Sequence, residues 1–164
     1  MTLLRYAAFL GLAIWIGGLA ALAGLGAPVL FEVLPAHDPA GGRELAGVVF
    51  GALFERFQYV AWAAALVVLA SLSLRAALGP RPKRTAIRIW TVLAMVAMSV
   101  FTVYVIIPEI DAIRASVGGV IATLPETDPR RIEHGRWHGL SSALALVTIA
   151  GGLGLAWAEV RDQQ

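Results

Sequence analysis

Cysteine is absent from this sequence. Its absence excludes a disulfide framework, a thiolate metal site and thiol redox chemistry. Charge is scarce as well. Acidic and basic residues make up 15% of the 164, against 59% hydrophobic, which is too little to coat a soluble domain of this size. A net charge of +2 supplies no basic field of the kind a nucleic-acid partner requires. Also missing are a nucleophile with its base, a phosphate-binding loop and a pair of catalytic carboxylates. The helical zinc-protease motif fails because Gly135, and not a glutamate, follows His134. These absences point away from an enzyme.

What the sequence does have is apolar length. Four stretches, near 6–30, 57–74, 89–107 and 137–158, approach or exceed the roughly 20 helical residues that cross a hydrocarbon core. The first follows only Arg5 and outruns a signal-peptide core, so it reads as a retained anchor. The expectation is an all-α integral membrane protein, a single antiparallel four-helix bundle, multi-pass in the cell membrane and, by expectation, the bacterial inner membrane. Between the second and third stretches stand Arg75, Arg81, Lys83, Arg84 and Arg88 with no acidic residue. Retention of Lys and Arg on the cytoplasmic side places that link and both termini there.

Along the first helix, Trp15-Ile16-Gly17-Gly18, Ala21 and Gly24 read as small-residue packing positions, and Pro28 as a kink or local end. In the second, Glu55, Gln58, Tyr59 and Trp62 fall at i, i+3, i+4 and i+7, a polar stripe expected to point into the bundle. Arg56, about 100° away, reads as a snorkelling side chain. Met95 and Met98 in the third read as packing. Asp128 suits an N-cap and Pro129 the first helical position of the fourth.

Up-down connectivity brings His37, His134, His138, Glu32, Glu55, Glu109 and Asp111 to the non-cytoplasmic side. The inner half offers little beyond serines, threonines and aromatic edges. The reading is a polar vestibule open to the outside and closed below by an apolar plug, with no line of ionisable stations to make an ion path. Its candidate lining is Gln58, Tyr59, Glu109, Ser141 and Ser142. His134 and His138 share one helix face, and with Glu55 from a neighbour they have ligand-compatible spacing for a divalent metal or copper. Axial haem ligation by one histidine is the less favoured cofactor reading. The other reading of the pair is bonding between helices.

The run Arg136-Trp137-His138-Gly139-Leu140-Ser141-Ser142 resembles the last-helix signature of the transmembrane protein 205 family and its bacterial relatives. Val29-Leu30-Phe31 with Leu34-Pro35 and His37 is similar to the end of that family's first helix, and Phe50-Gly51 with Leu53-Phe54 and Phe57 to its second. The resemblance implies a four-span membrane protein and brings no settled activity. It singles out His138, Gly139, Leu140 and Ser141, and does not include His134. Trp15-Ile16-Gly17-Gly18 leading to Pro28 more loosely resembles the opening helix of copper-resistance D membrane domains.

The functional reading is a non-enzymatic membrane protein that binds or handles a metal ion or small ligand at the outward pocket. Two alternatives stay open: a structural or assembly subunit of a membrane complex, and a haem-binding membrane redox protein. Lipid is the certain surroundings. The small-residue faces serve a homo-oligomer or a complex partner as readily as the chain's own packing.

Overall fold

The computed structural model describes residues 2–79, 84–118 and 121–161. Among them are four long helices and no strand: α1 (Thr2–His37), α2 (Gly42–Leu78), α3 (Thr85–Ser116) and α4 (Pro129–Arg161). Each is long and apolar enough to cross a membrane. The protein is a multi-pass, all-α membrane protein. Leu66, Leu146, Leu153 and Trp157 lie exposed on the bundle's outside, where a lipid-facing wall needs apolar side chains.

α1 packs on α2 and α4, and α3 packs on the same two helices, so the four form a ring of neighbours. The buried stripes follow helical spacing: Ala8, Leu12, Trp15 and Leu19 on α1, and Ala61, Ala64, Ala65, Val68 and Leu72 on α2. Val92 and Met95 face them from α3, and Leu155 from α4. Small residues set the closest approaches. Gly18 lies directly against the Phe57 ring, and Gly152 against Ile16. Gly17 and Gly24, by contrast, have open space where a side chain would stand, so the expectation of packing does not hold for them.

Pro28 neither ends α1 nor removes its continuity. The Ala27 N–H, just before the proline, bonds to the Leu22 carbonyl five residues back, and a wide turn over Leu22–Gly26 carries the helix on to His37. α3 does the same before Pro108, where the Ile107 N–H bonds to Thr102 C=O across Thr102–Ile106. A proline ring collides with the carbonyl four residues earlier in a regular helix. Widening the turn by one residue relieves that collision, as π-bulges do.

The hairpin ends are defined by local chemistry. Asp38 Oδ1 accepts from the N–H groups of Ala40 and Gly41, both at 3.1 Å, and turns the chain into α2. Two residues after α3 ends, the chain turns at Gly118, whose φ of +73° belongs to the left-handed region that glycine tolerates. Asp128 accepts from the Arg130 N–H at 2.9 Å and caps α4, with Pro129 at its first position.

Candidate functional site

Near the middle of the bundle, polar side chains from all four helices surround one small cavity. α2 contributes Gln58, which is buried, and α3 contributes Ser99 and Thr102. Trp15 comes from α1, and Ser141 and Thr148 from α4. The Trp62 indole donates to Ser99 Oγ at 2.8 Å, and Ser99 Oγ donates to Gln58 Oε1 at 2.6 Å. The three form a relay with a fixed direction, in which each donor is satisfied by the next acceptor.

The hydroxyls of Thr102 and Thr148 donate to carbonyls one turn back, at 2.9 and 2.8 Å. Ser141 donates to His138 C=O at 2.9 Å. With their protons so engaged, these three oxygens retain acceptor capacity. The Trp15 Nε1, on a side chain that is 0% exposed, has no partner. The cavity therefore has several hydroxyl acceptors in its wall beside the Trp15 side chain with its unpartnered N–H, and leaves about 10 Å³ for a ligand's centre. That is room for one water-sized species.

An apolar layer of Leu12, Ala64, Ala65, Val68, Val92 and Leu155 separates this node from a second one at the end of the bundle that carries both termini. There Glu159 of α4 receives Arg75 Nη1 of α2 at 2.7 Å on one oxygen and Arg88 Nη1 of α3 at 2.8 Å on the other. Arg88 Nη2 also donates to Ala158 C=O at 3.2 Å, and Arg5 of α1 donates to Glu159 C=O at 3.3 Å. All four helices are joined through one residue. Arg75, Arg88 and Glu159 are each 5% exposed.

This terminal cluster corrects the expectation that the inner half holds little beyond serines, threonines and aromatic edges. Arg75 and Arg88 belong to helices and not to the link between them, because α2 continues to Leu78 and α3 starts at Thr85. The signal was in the spacing. Arg75 stands three residues after Leu72, Arg88 four before Val92, and Glu159 four after Leu155, so each extends a buried apolar stripe by one turn.

The structure separates the residues expected at an outward vestibule. Gln58 and Ser141 meet at the interior cavity. Glu55, Tyr59, Glu109 and Ser142 are exposed. The stripe from Glu55 to Trp62 thus does not point into the bundle as a unit. α2 instead packs through Ala61, Ala64, Ala65 and Val68, whose face is turned roughly a third of a turn from the stripe. Tyr59 packs edge-on against Trp62, which stacks on Tyr104. His134 and His138 lie parallel on α4, ring centroids 6.3 Å apart. His138 is exposed, and its carbonyl accepts from both Ser141 and Ser142. Among the described residues no group of three or more His, Asp or Glu side chains is placed to hold a metal ion.

Residues 10–118 match the family described as a domain of unknown function, DUF4149. No curated protein and no solved structure matches the chain. The match covers most of the chain, and the protein belongs to this family.

Proposed function

We propose that this DUF4149 protein is a non-enzymatic membrane protein that binds a small polar ligand, water-sized and able both to donate and to accept hydrogen bonds, in the cavity among its four helices. The single observation that carries the reading is the unpartnered and wholly buried indole N–H of Trp15, a residue that lines a cavity with three acceptor hydroxyls. A buried donor without a partner costs about 1–3 kcal/mol, a penalty that a bound ligand removes. Ser141, half-buried on the side of the cavity nearer the hairpins, gives such a ligand its approach from that end. A cavity of this size takes a water or a neutral molecule about as small that can accept from the indole, and has no room for a porphyrin.

The test uses the full chain in nanodiscs. Thermal unfolding is followed with ammonia, methanol and hydrogen sulfide supplied in turn, and with sodium, potassium and first-row divalent ions as species that cannot accept from the indole, alongside hydrogen exchange of the Trp15 indole. Binding predicts a stabilising shift for one species that is lost in Thr148→Val, and an indole proton protected only when that species is present. If no species shifts unfolding and the indole is equally protected without any, the polar groups serve only to fasten helices. That outcome selects the structural-subunit reading, for which the Trp62–Ser99–Gln58 relay between α2 and α3 speaks.

A further inference from the structure

Beside the terminal cluster a groove of about 530 Å³ opens between the first turns of α1 and the last turn of α4. Its lining is Thr2, Arg5, Tyr6, Phe9, Glu159 and Val160. The four α1 residues occupy i, i+3, i+4 and i+7, a single face of that helix. The face is graded. The hydroxyl and the guanidinium stand at the helix start, and the aromatic rings stand one to two turns further into the apolar stretch, with Tyr6 63% and Phe9 46% exposed. The volume lies in the range of sites for small organic ligands.

Charge selects the occupant. Both carboxylate oxygens of Glu159 are already taken, by Arg75 and Arg88. Arg5 therefore meets the Glu159 main chain and not its carboxylate, and only through one bond of 3.3 Å. Its Nε is buried and has no partner. A guanidinium that meets no carboxylate, next to exposed aromatic rings on the first turns of a membrane-spanning helix, matches an amphiphile that carries an anionic phosphate head above an apolar tail.

We propose that this groove holds an anionic membrane phospholipid, its phosphate on Arg5 and Thr2 and an acyl chain along Tyr6 and Phe9. The site is separate from the interior cavity, and neither depends on the other. The protein's own geometry fixes which leaflet is used: the one at the end that carries both chain termini.

Native mass spectrometry of the delipidated full chain reads the result directly. Phosphatidylglycerol and phosphatidylcholine with identical chains are supplied as competitors, with inorganic phosphate in a parallel arm. Phosphatidylglycerol is expected to be retained roughly five-fold over phosphatidylcholine, the size expected of one guanidinium at an anionic surface. Arg5→Gln abolishes that preference. Tyr6→Ala, which leaves every bond to Glu159 in place, lowers retention of both lipids and keeps the protein folded if Arg5→Gln does not. Equal retention of the two lipids overturns the proposal, as does a preference that survives Arg5→Gln. Displacement of the bound lipid by inorganic phosphate alone also overturns it, because the site would then recognise a free anion.

Discussion

Arg75 and Glu159, 84 residues apart in the chain, meet at 2.7 Å with 5% of each exposed. The end of α2, in the middle of the sequence, and the last turn of α4 are fastened by a charge pair that has almost no access to water. Such a pair contributes through its balance, since removing one partner strands the other.

Replacing Glu159 with Gln is expected to destabilise the protein by about 3–5 kcal/mol, because Arg75 and Arg88 lose their carboxylate in a dry setting. Thermal unfolding in detergent, followed by tryptophan fluorescence, gives the value. Converting all three to apolar residues of similar size, Arg75→Met with Arg88→Met and Glu159→Leu, is expected to recover most of the loss. A Gln variant as stable as the parent would mean that the cluster is solvated.

Ser99 stands between a donor and an acceptor, so Ser99→Ala leaves the Trp62 N–H and the Gln58 carbonyl without each other's intermediary. The expected cost is about 1–3 kcal/mol. Trp62→Phe in the Ser99→Ala background should then cost less than it does alone, with a coupling of at least about 0.5 kcal/mol in the double-mutant cycle. Additive losses would show that the relay is not formed.

Glycine substitutions separate packing from lipid exposure. A side chain on Gly42 would strike the Leu34 carbonyl and the main chain at Pro35, neither of which can rotate aside. Gly42→Ala is expected to cost about 1–3 kcal/mol. Gly17→Ala meets nothing and is expected to gain up to roughly 1 kcal/mol from helix propensity. Guanidinium-free thermal scans of both variants against the parent decide the matter, and equal effects would contradict the packing assigned to Gly42.

The cap of α4 carries a pH signature. The Arg130 guanidinium, and then its backbone N–H, bond to the Asp128 carboxylate and hold its pKa below the ordinary aspartate value. Because the folded pKa is the lower one, the cap's charged contribution is present in full above the unfolded value of about 3.9 and fades as pH falls through the folded value. Asp128→Asn keeps an acceptor but does not titrate. Its stability relative to the parent should therefore improve as pH drops below about 4, and stability measured from pH 6 downward would reveal any failure of that trend.

The four helices and the α4 cap could be read from the sequence because both are local properties: apolar length, and Asp128-Pro129 at a helix start. The two polar nodes were only half legible. Gln58 and Ser141 drew notice as polar residues in apolar surroundings, yet nothing local told that Ser99, Thr102, Thr148 and Trp15 would meet them, since hydroxyls and indoles pack in apolar helices without comment. By residue type alone Arg75 and Arg88 suit a topology signal in the link between helices. Only their phase with Leu72 and Val92 carried the other meaning, and that phase decides a contact once the neighbouring helix is known. The histidines stand out by residue type, while their exposure is set by which face of α4 turns inward.

The wide turns before Pro28 and Pro108 make residue count itself an angular setting. Each inserts one extra residue into a helix, and so advances everything beyond it by about 100° around the axis. Glu32 and His37 past the first, and Glu109 and Asp111 past the second, are thus aimed by the arithmetic of the backbone. Deleting a single residue within 22–26 or 102–106 would reorient a whole polar rim while leaving every side chain in it unchanged.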